Sequence, residues 1–343
     1  MTNRPRLLIT MGDVAGIGPE IIARAWPKLI TLCRPIVVGD ADSLRRALEL
    51  VKSPAVVQEV LDLEVVACGP KLIPCLQGSE QRLTEVRPGQ VSAAAGRAAY
   101  DFLCLAITQT LAGAADGIVT APLHKEGLRA AGLPYPGHTE ILAEHTGARR
   151  FAMVLFVSGP GKREMVGLGV AHVTLHLALR DVFQHLSTPA VLDKIQLLDG
   201  LLSRLLEHRP RIGVAALNPH ASDGSLFGDE ETEIIEPAVK LAQREGINVS
   251  GPWPSDTLFL RAKDGEFEGI VAMYHDQGHI ALKLLGGRRA VNISAGLPLV
   301  RTSVAHGTAY DIAGKGIADP GSLIEATRVA TKLALANAKQ PGN

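Results

Sequence analysis

Hydrophobic and polar positions alternate between short apolar runs and longer segments with helical spacing. Arg6–Met11 and Pro35–Asp40 are predicted strands, because each is a short, mostly apolar run bounded by turn residues. A helical pattern follows each strand, and we expect Asp42 or Ser43 to cap the second helix. Ala93–Leu111 predicts a long, largely buried helix, since it is rich in alanine and carries few charges.

The same alternation continues through the second half of the chain. Strands are predicted at F-A-M-V-L-F-V and in the runs that lead to His172, His220 and His275, with helices at Val191–His208 and Ser322–Ala338. Strands that alternate with helices favour an α/β fold with mainly parallel sheets. We place a domain boundary near residues 134–139, with a return crossing near residues 292–301.

Composition narrows the class of protein. The chain has 343 residues, 35 basic and 35 acidic, and 46% hydrophobic residues, enough for two domains or one large α/β unit. No basic patch indicates nucleic acid as a partner. No signal segment and no apolar run of roughly 18 residues is present, so we expect a cytosolic protein without membrane spans. The four cysteines lack C-x-x-C spacing and are predicted to be reduced.

Three histidines in polar, glycine-bearing segments each follow an apolar run. They are His172 in V-A-H-V-T, His220 in L-N-P-H-A-S-D-G and His275 in M-Y-H-D-Q-G-H. Open α/β sheets bind ligands at the carboxyl ends of their strands, and neutral imidazole suits zinc and other borderline divalent ions. A single histidine is more often structural, but the shared context predicts one catalytic divalent-metal site.

Two glycine-bearing segments are candidates for nucleotide binding. The N-terminal turn contains Gly12, Gly16 and Gly18 just before a helix start, an arrangement suited to an anion, although a purely structural turn explains it equally well. The late segment runs through His306, Gly307, Thr308 and Ala309, where the alternative is a plain glycine-rich connection. Neither is the usual dinucleotide fingerprint, and a shared nucleotide would require both ends of the chain to lie in one domain.

Further polar residues predict a site for an anionic substrate. His138 and Thr139 follow the turn P-Y-P-G, where Thr139 alone can also act as a helix cap. Lys283, Asn292 and Arg301 lie downstream of the third histidine. A lone surface cation is usually just solvated, but two cations beside a metal suit a phosphate and a carboxylate.

Taken together, the ordered motifs resemble the 4-hydroxythreonine-4-phosphate dehydrogenase family almost from end to end. They are G-D-V-A-G-I-G-P-E, V-T-A-P-L-H-K, P-G-H-T-E, A-L-N-P-H, S-D-T-L-F, Y-H-D-Q-G-H, V-N-I-S-A-G-L-P-L-V-R-T-S and H-G-T-A-Y-D-I-A-G-K-G-I-A-D. The resemblance implies a two-domain isocitrate/isopropylmalate dehydrogenase-like fold with a cleft between domains. Residues 1–136 plus 297–343 would bind the nucleotide, and residues 137–296 would carry the metal, the substrate and the dimer contact.

The same resemblance implies the chemistry and its residues. His172, His220 and His275 would bind one zinc, magnesium or cobalt ion shared across a homodimer, and His138, Thr139, Lys283, Asn292 and Arg301 would bind a phosphorylated substrate. NAD or NADP would oxidise 4-phosphooxy-L-threonine to a 3-oxo acid that decarboxylates. Lys283, Asp256 and Asp276 stay open as the proton acceptor.

Two departures from the family pattern leave the substrate open. After N-P-H, which contains His220, the chain continues as A-S-D-G-S where the family usually has A-G-E-G-G. The first motif begins as M-G-D-V-A-G where P-G-E-P-A-G is common. Alternatives are therefore a dehydrogenase of 4-phospho-threonate or 4-phospho-erythronate, relatives that act on dihydrodiols of aromatic dicarboxylates, a metal-dependent hydrolase or aldolase, and a non-catalytic phosphate-ligand binding protein.

Overall fold

The computed structural model describes residues 4–63, 66–159 and 167–339, apart from the side chain of Arg288. The chain divides into two compact units, Met1–Arg149 with Leu297–Asn343, and Arg150–Gly296. The first unit therefore includes residues 137–149, which the family resemblance places in the other domain. The reason is packing, because the helix His138–Thr146 lies against the long helix Ala93–Leu111.

The first unit is built on a parallel sheet. Its strands are β1 (Arg6–Thr10), β2 (Arg34–Gly39), β3 (Val56–Val60), β4 (Leu72–Gln77), β5 (Gly117–Thr120) and β12 (Arg301–Val304), in the order β3-β4-β2-β1-β5-β12. Each of these neighbouring pairs is parallel. The helices are α1 (Gly18–Leu32), α2 (Ala41–Leu50), α3 (Ala93–Leu111), α4 (Lys125–Ala130), α5 (His138–Thr146) and α11 (Gly321–Lys339).

The second unit has a mixed sheet. Its strands are β6 (Ala152–Ser158), β7 (Gly167–His172), β8 (Ile212–Ala215), β9 (Val249–Trp253), β10 (Gly269–Ala272) and β11 (Val291–Ala295), in the order β11-β6-β7-β10-β8-β9. β6 is antiparallel to both β11 and β7, and the remaining pairs are parallel. The helices are α6 (Val182–His185), α7 (Thr188–Leu206), α8 (Glu236–Arg244), α9 (Ser255–Lys263) and α10 (His275–Gly286), with 3-10 turns at Leu179–Asp181, Pro219–Asp223 and Gly287–Arg289 and a π-helical turn at Glu231–Ile235.

Local chemistry explains where several elements begin. α3 has the predicted bounds, and the Ser92 side chain caps it by accepting a hydrogen bond from the backbone N–H of Ala95. The cap predicted for α2 was wrong: Asp40, not Asp42 or Ser43, accepts from the Ser43 backbone N–H at 2.7 Å. The last strand residue, Gly39, precedes Asp40 directly, so strand end and cap coincide. Among the described residues, no helix is long and apolar enough to cross a membrane.

Candidate active site

The three predicted metal-binding histidines follow three neighbouring parallel strands of the second unit. His172 is the last residue of β7, His275 is the first residue of α10 and follows β10, and His220 lies in the turn after β8. β10 pairs in parallel with both β7 and β8. Because parallel strands end at a common edge, the backbone at all three positions belongs to the same edge of this sheet, as the apolar runs predicted.

His172 and His275 lie in a cluster of imidazole rings. His172 is 1% exposed, and its Nε2 lies 3.1 Å from Nδ1 of His279. The His279 ring stacks on His275 with centroids 3.9 Å apart, and the His172 and His275 centroids are 6.3 Å apart. His176 completes the cluster at 5.9 Å from the His275 ring. Burial, reinforced by neighbouring histidines, lowers the pKa of His172 to about 3 and that of His279 to about 4.

These rings fit a divalent cation chemically. Low pKa values keep His172 and His279 neutral at physiological pH, and neutral imidazole is the form that binds metals. Nδ1 of His172 is buried and has no hydrogen-bond partner among the described residues. Such a nitrogen has unused capacity as a ligand, while Nε2 is engaged by His279.

His220 differs from the other two histidines because it is exposed and lies on a left-handed backbone. The φ angles of His220, Ala221 and Ser222 are 53°, 54° and 66°. Across the described parts of a single chain, no three His, Cys, Asp or Glu side chains are arranged to hold a metal ion. The three-histidine site therefore stays a prediction, and one that the resemblance assigns to a dimer.

Of the other predicted residues in the second unit, Asp276 and Lys283 interact with the histidine cluster. Asp276 contacts His275 through Oδ1 and Nδ1 at 2.6 Å, which orients that ring. Lys283 is exposed on α10, one helical turn after His279, and its charge contributes to the low pKa of His279. Asp256 is exposed on α9, and Asn292 on β11 has a buried Oδ1 without a partner among the described residues.

The remaining predicted substrate residues lie in the first unit. Arg301 is 3% exposed on β12 and donates from Nη2 to Thr120 Oγ1 at 2.7 Å, and burial lowers its pKa to about 9. Lost solvation and the Arg301 charge hold the pKa of His138 well below its usual value. Thr139 does not cap α5, whose N-cap is Gly137 without a side-chain bond. The structure thus brings His138 and Arg301 together, and the predicted substrate residues divide between the two units.

The two predicted nucleotide segments touch each other in the first unit. The Ile17 backbone N–H donates to Thr308 O at 3.0 Å, and a Cβ on Gly16 would lie 2.8 Å from Thr308 Cβ. Gly12 has φ +67° and packs against the Pro122 backbone, while Gly18 packs against Met11 O. Close packing is sufficient to explain why Gly12, Gly16 and Gly18 are glycines, whether or not a nucleotide binds there. His306 and Gly307 are exposed, Thr308 is 6% exposed, and Ala309 has φ 45°.

Sequence reasoning missed three groups of side chains. Asp13 is fully buried and accepts from the Tyr310 hydroxyl at 2.8 Å, while the Tyr310 ring stacks on His124 with centroids 4.4 Å apart. His279 follows His275 by four positions, a spacing that places both on one helix face and that the sequence already contains. Glu231 accepts hydrogen bonds from the segment around His220, and no local pattern indicated this contact.

Comparison with solved structures shows that the architecture is shared with known enzymes. A β-decarboxylating dehydrogenase from Thermococcus kodakarensis aligns with TM-score 0.50 and 13% identity over 94% of this chain and 81% of that one, which shows a common fold alone. A 4-hydroxythreonine-4-phosphate dehydrogenase from Klebsiella pneumoniae aligns with TM-score 0.85 and 42% identity over 96% of this chain and 99% of that one. The chain shares the α/β fold of these enzymes, and it is an oxidoreductase.

Sequence comparison narrows this class to one family. The family described as "Pyridoxal phosphate biosynthetic protein PdxA" matches residues 31–330, and the chain belongs to it. A 4-hydroxythreonine-4-phosphate dehydrogenase from Beijerinckia indica is 45% identical over 97% of this chain and 96% of the relative. A D-threonate 4-phosphate dehydrogenase from Pectobacterium atrosepticum is 43% identical over 96% of this chain and 99% of the relative.

Proposed function

We propose that the protein oxidises the 3-hydroxyl of 4-phosphooxy-L-threonine with NAD or NADP. The product, 2-amino-3-oxo-4-phosphooxybutanoate, is a β-keto acid and decarboxylates to 3-amino-2-oxopropyl phosphate, a step in pyridoxal phosphate biosynthesis. The observation that carries this proposal is the near-full-length relative of that name, at 45% identity. The strand-end imidazoles of the second unit support it.

We assign the divalent metal to His172, His220 and His275, and the nucleotide to the first unit. A bound zinc, magnesium or cobalt ion would supply a Lewis acid, and the nicotinamide would accept a hydride. Thr308, which follows the exposed His306 and Gly307, contacts Gly16 and Ile17 just before α1, and this contact supports the nucleotide assignment. On this proposal, residues of the first unit bind nucleotide while the second unit carries the metal ligands.

Charged and polar side chains would bind and orient the substrate. Arg301 offers a buried guanidinium, whose planar donors match a carboxylate or phosphate, and the neighbouring His138 is neutral and can donate or accept a hydrogen bond. Lys283 offers an exposed ammonium group on α10, and Asn292 and Thr139 offer neutral polar groups. Of the proton-acceptor candidates, Asp276 contacts His275 and so orients it, which leaves Lys283 and Asp256 as the freer candidates.

We further propose a homodimer that shares the metal site. The second unit exposes large apolar side chains near the histidines, namely Leu177 (41%), Leu179 (66%), Phe183 (54%), Leu226 (70%), Phe227 (47%), Ile280 (58%) and Leu284 (82%). Leu177 and Leu179 also line a cavity of about 340 Å³ together with His176, His275 and Asp276. Exposed apolar side chains beside an incomplete set of metal ligands support a second copy as the missing partner.

The second candidate substrate is D-threonate 4-phosphate. Relatives with that name and with the 4-hydroxythreonine-4-phosphate name are similarly close, at 43% and 45% identity. The two substrates differ at carbon 2, which carries a hydroxyl in one and an amino group in the other. The sequence departs from the family pattern at Ala221–Ser225, directly after the proposed metal ligand His220. We propose that this segment distinguishes a hydroxyl from an amino group at carbon 2.

Reduction of the nicotinamide, followed at 340 nm, tests the proposal directly. Purified protein is mixed with NAD or NADP, with zinc, magnesium or cobalt, and with each substrate in turn, with and without a chelator. We expect metal-dependent reduction with 4-phosphooxy-L-threonine. Turnover only with D-threonate 4-phosphate would select the second candidate, and hydrolysis or cleavage without a nicotinamide would move the protein to another enzyme class.

Arg301→Ala sharpens the same assay. Losing a charge-assisted hydrogen bond should lower kcat/KM for the true substrate by roughly 10 to 150-fold, while the dissociation constant for the nucleotide stays unchanged. Arg34→Ala is the matched control, since Arg34 is an exposed arginine of the same unit. Unchanged kinetics in Arg301→Ala would remove Arg301 from the substrate site.

A further inference from the structure

The segment that carries His220 adopts a backbone that L-residues rarely adopt. Four consecutive residues, His220 to Asp223, have φ angles of 53°, 54°, 66° and 44°, and none of them is glycine. A left-handed run of this kind brings each Cβ too close to the following carbonyl oxygen, so it persists only where surrounding contacts hold it.

One buried carboxylate supplies those contacts. Oε1 of Glu231 accepts from the backbone N–H groups of Leu217 at 2.7 Å and Asn218 at 2.8 Å. Oε2 accepts from Asn218 Nδ2 at 3.0 Å and from the Ser222 hydroxyl. Glu231 is 2% exposed. Its two oxygens therefore bind the chain on both sides of His220, at Leu217 and Asn218 before it and at Ser222 inside the left-handed run.

The carboxylate is held in its ionised form by these same donors. Burial alone raises the pKa of Glu231, but the hydrogen bonds from Asn218, Ser222 and Leu217 lower it by more, so the net pKa lies below the usual 4.5. An ionised acceptor makes stronger hydrogen bonds than a neutral one. These four hydrogen bonds come from the segment around His220 and not from His220 itself.

We infer that Glu231 is a positioning residue that holds the left-handed segment so that His220 can act as a metal ligand. The inference rests on the proposed metal site, to which it adds a residue that touches neither metal nor substrate. A purely structural role for Glu231 would alter folding stability without acting through His220. The two roles differ in what happens once His220 is removed.

Cobalt binding to the full-length protein, without substrate or nucleotide, tests the inference. Co²⁺ alone is titrated and its visible absorption band gives the dissociation constant and reports the ligand geometry. In Glu231→Gln we expect Co²⁺ affinity to fall roughly 10 to 100-fold. Losses of this size are typical when a residue that orients a metal ligand is replaced. Glu233→Gln is the matched control, since Glu233 is exposed on the same π-helical turn and should bind as the unsubstituted protein does.

The double variant separates positioning from structure. With His220→Ala already present, adding Glu231→Gln should cause no further loss of Co²⁺ affinity. If Glu231→Gln lowered Co²⁺ affinity as much in the His220→Ala variant as in the unsubstituted protein, the inference would be overturned. Equal Co²⁺ affinities for Glu231→Gln and Glu233→Gln would overturn it as well. If instead the unsubstituted protein bound no Co²⁺ and His220→Ala changed nothing, the proposed metal site itself would fail, and the inference with it.

Discussion

Asp13 and Glu231 are both almost completely buried, yet the pKa values of these two carboxylates shift in opposite directions. Asp13, in the first unit, is 0% exposed, and burial raises its pKa even though Tyr310, the Ala15 backbone and His124 act against the shift. Glu231, in the second unit, is 2% exposed, and hydrogen bonds lower its pKa despite burial.

The number of donors contributes to the difference in pKa. Asp13 accepts from the Ala15 N–H and the Tyr310 hydroxyl, both at 2.8 Å. Glu231 accepts from two backbone N–H groups, an amide and a hydroxyl. Depth of burial therefore does not decide whether a carboxylate stays charged, because hydrogen bonds to the ionised form can outweigh desolvation.

The largest expected change in the free energy of unfolding comes from replacing Glu231 or Asp13 with alanine. Glu231→Ala should lower the free energy of unfolding by about 3 kcal/mol or more, because several donors lose a charged acceptor. Asp13→Ala should cost only about 1 to 2 kcal/mol, since the desolvation penalty of the carboxylate disappears with it. Urea unfolding at pH 7 measures both, with Glu233→Ala as the exposed control. An equal or larger loss for Asp13→Ala would contradict the comparison.

The pH dependence of stability should separate the two sites by sign. The contribution of Glu231 is present above its usual pKa of 4.5 and is lost as pH falls through its lower folded value. The contribution of Asp13 is present below 3.8 and is lost as pH rises through its raised folded value. Urea unfolding from pH 7 downward should show the destabilisation by Glu231→Gln shrinking and that by Asp13→Asn growing. Parallel profiles would show that the two pKa values shift in the same direction.

The smallest expected change in stability concerns Ser222. Its hydroxyl donates a hydrogen bond to Glu231, and its backbone has a left-handed φ of 66°. Ser222→Ala keeps the backbone strain and loses the hydrogen bond, whereas Ser222→Gly loses the hydrogen bond but relieves the strain. Ser222→Gly should therefore be more stable than Ser222→Ala by about 0.5 to 1 kcal/mol. Ser225→Gly, at an exposed position with φ 70°, isolates the strain and should be stabilising in thermal unfolding. Identical unfolding temperatures for the two Ser222 variants would show that strain is unimportant there.

Patterns along the chain predicted many of the strands and helices. The apolar runs predicted β1, β2 and the strands before His172, His220 and His275, and alanine spacing predicted α3 at its observed bounds. These elements depend on local spacing, because one face of each must be apolar to be buried. The positions of the three histidines at strand ends followed for the same reason. The extent of each domain did not, since the assignment of α5 depends on its packing against α3.

What the sequence by itself determined was therefore the α/β class, the approximate positions of many strands and helices, and the residue types available for chemistry. Only the tertiary structure decided which polar groups share a buried environment. Asp13 and Tyr310, which share a hydrogen bond, lie 297 positions apart in the sequence. Glu231 and Leu217, which share another, lie 14 positions apart. Hydrogen bonding and desolvation depend on distances in space, and no periodicity along the chain encodes them. The charge states of these buried groups thus emerge only when distant segments pack together.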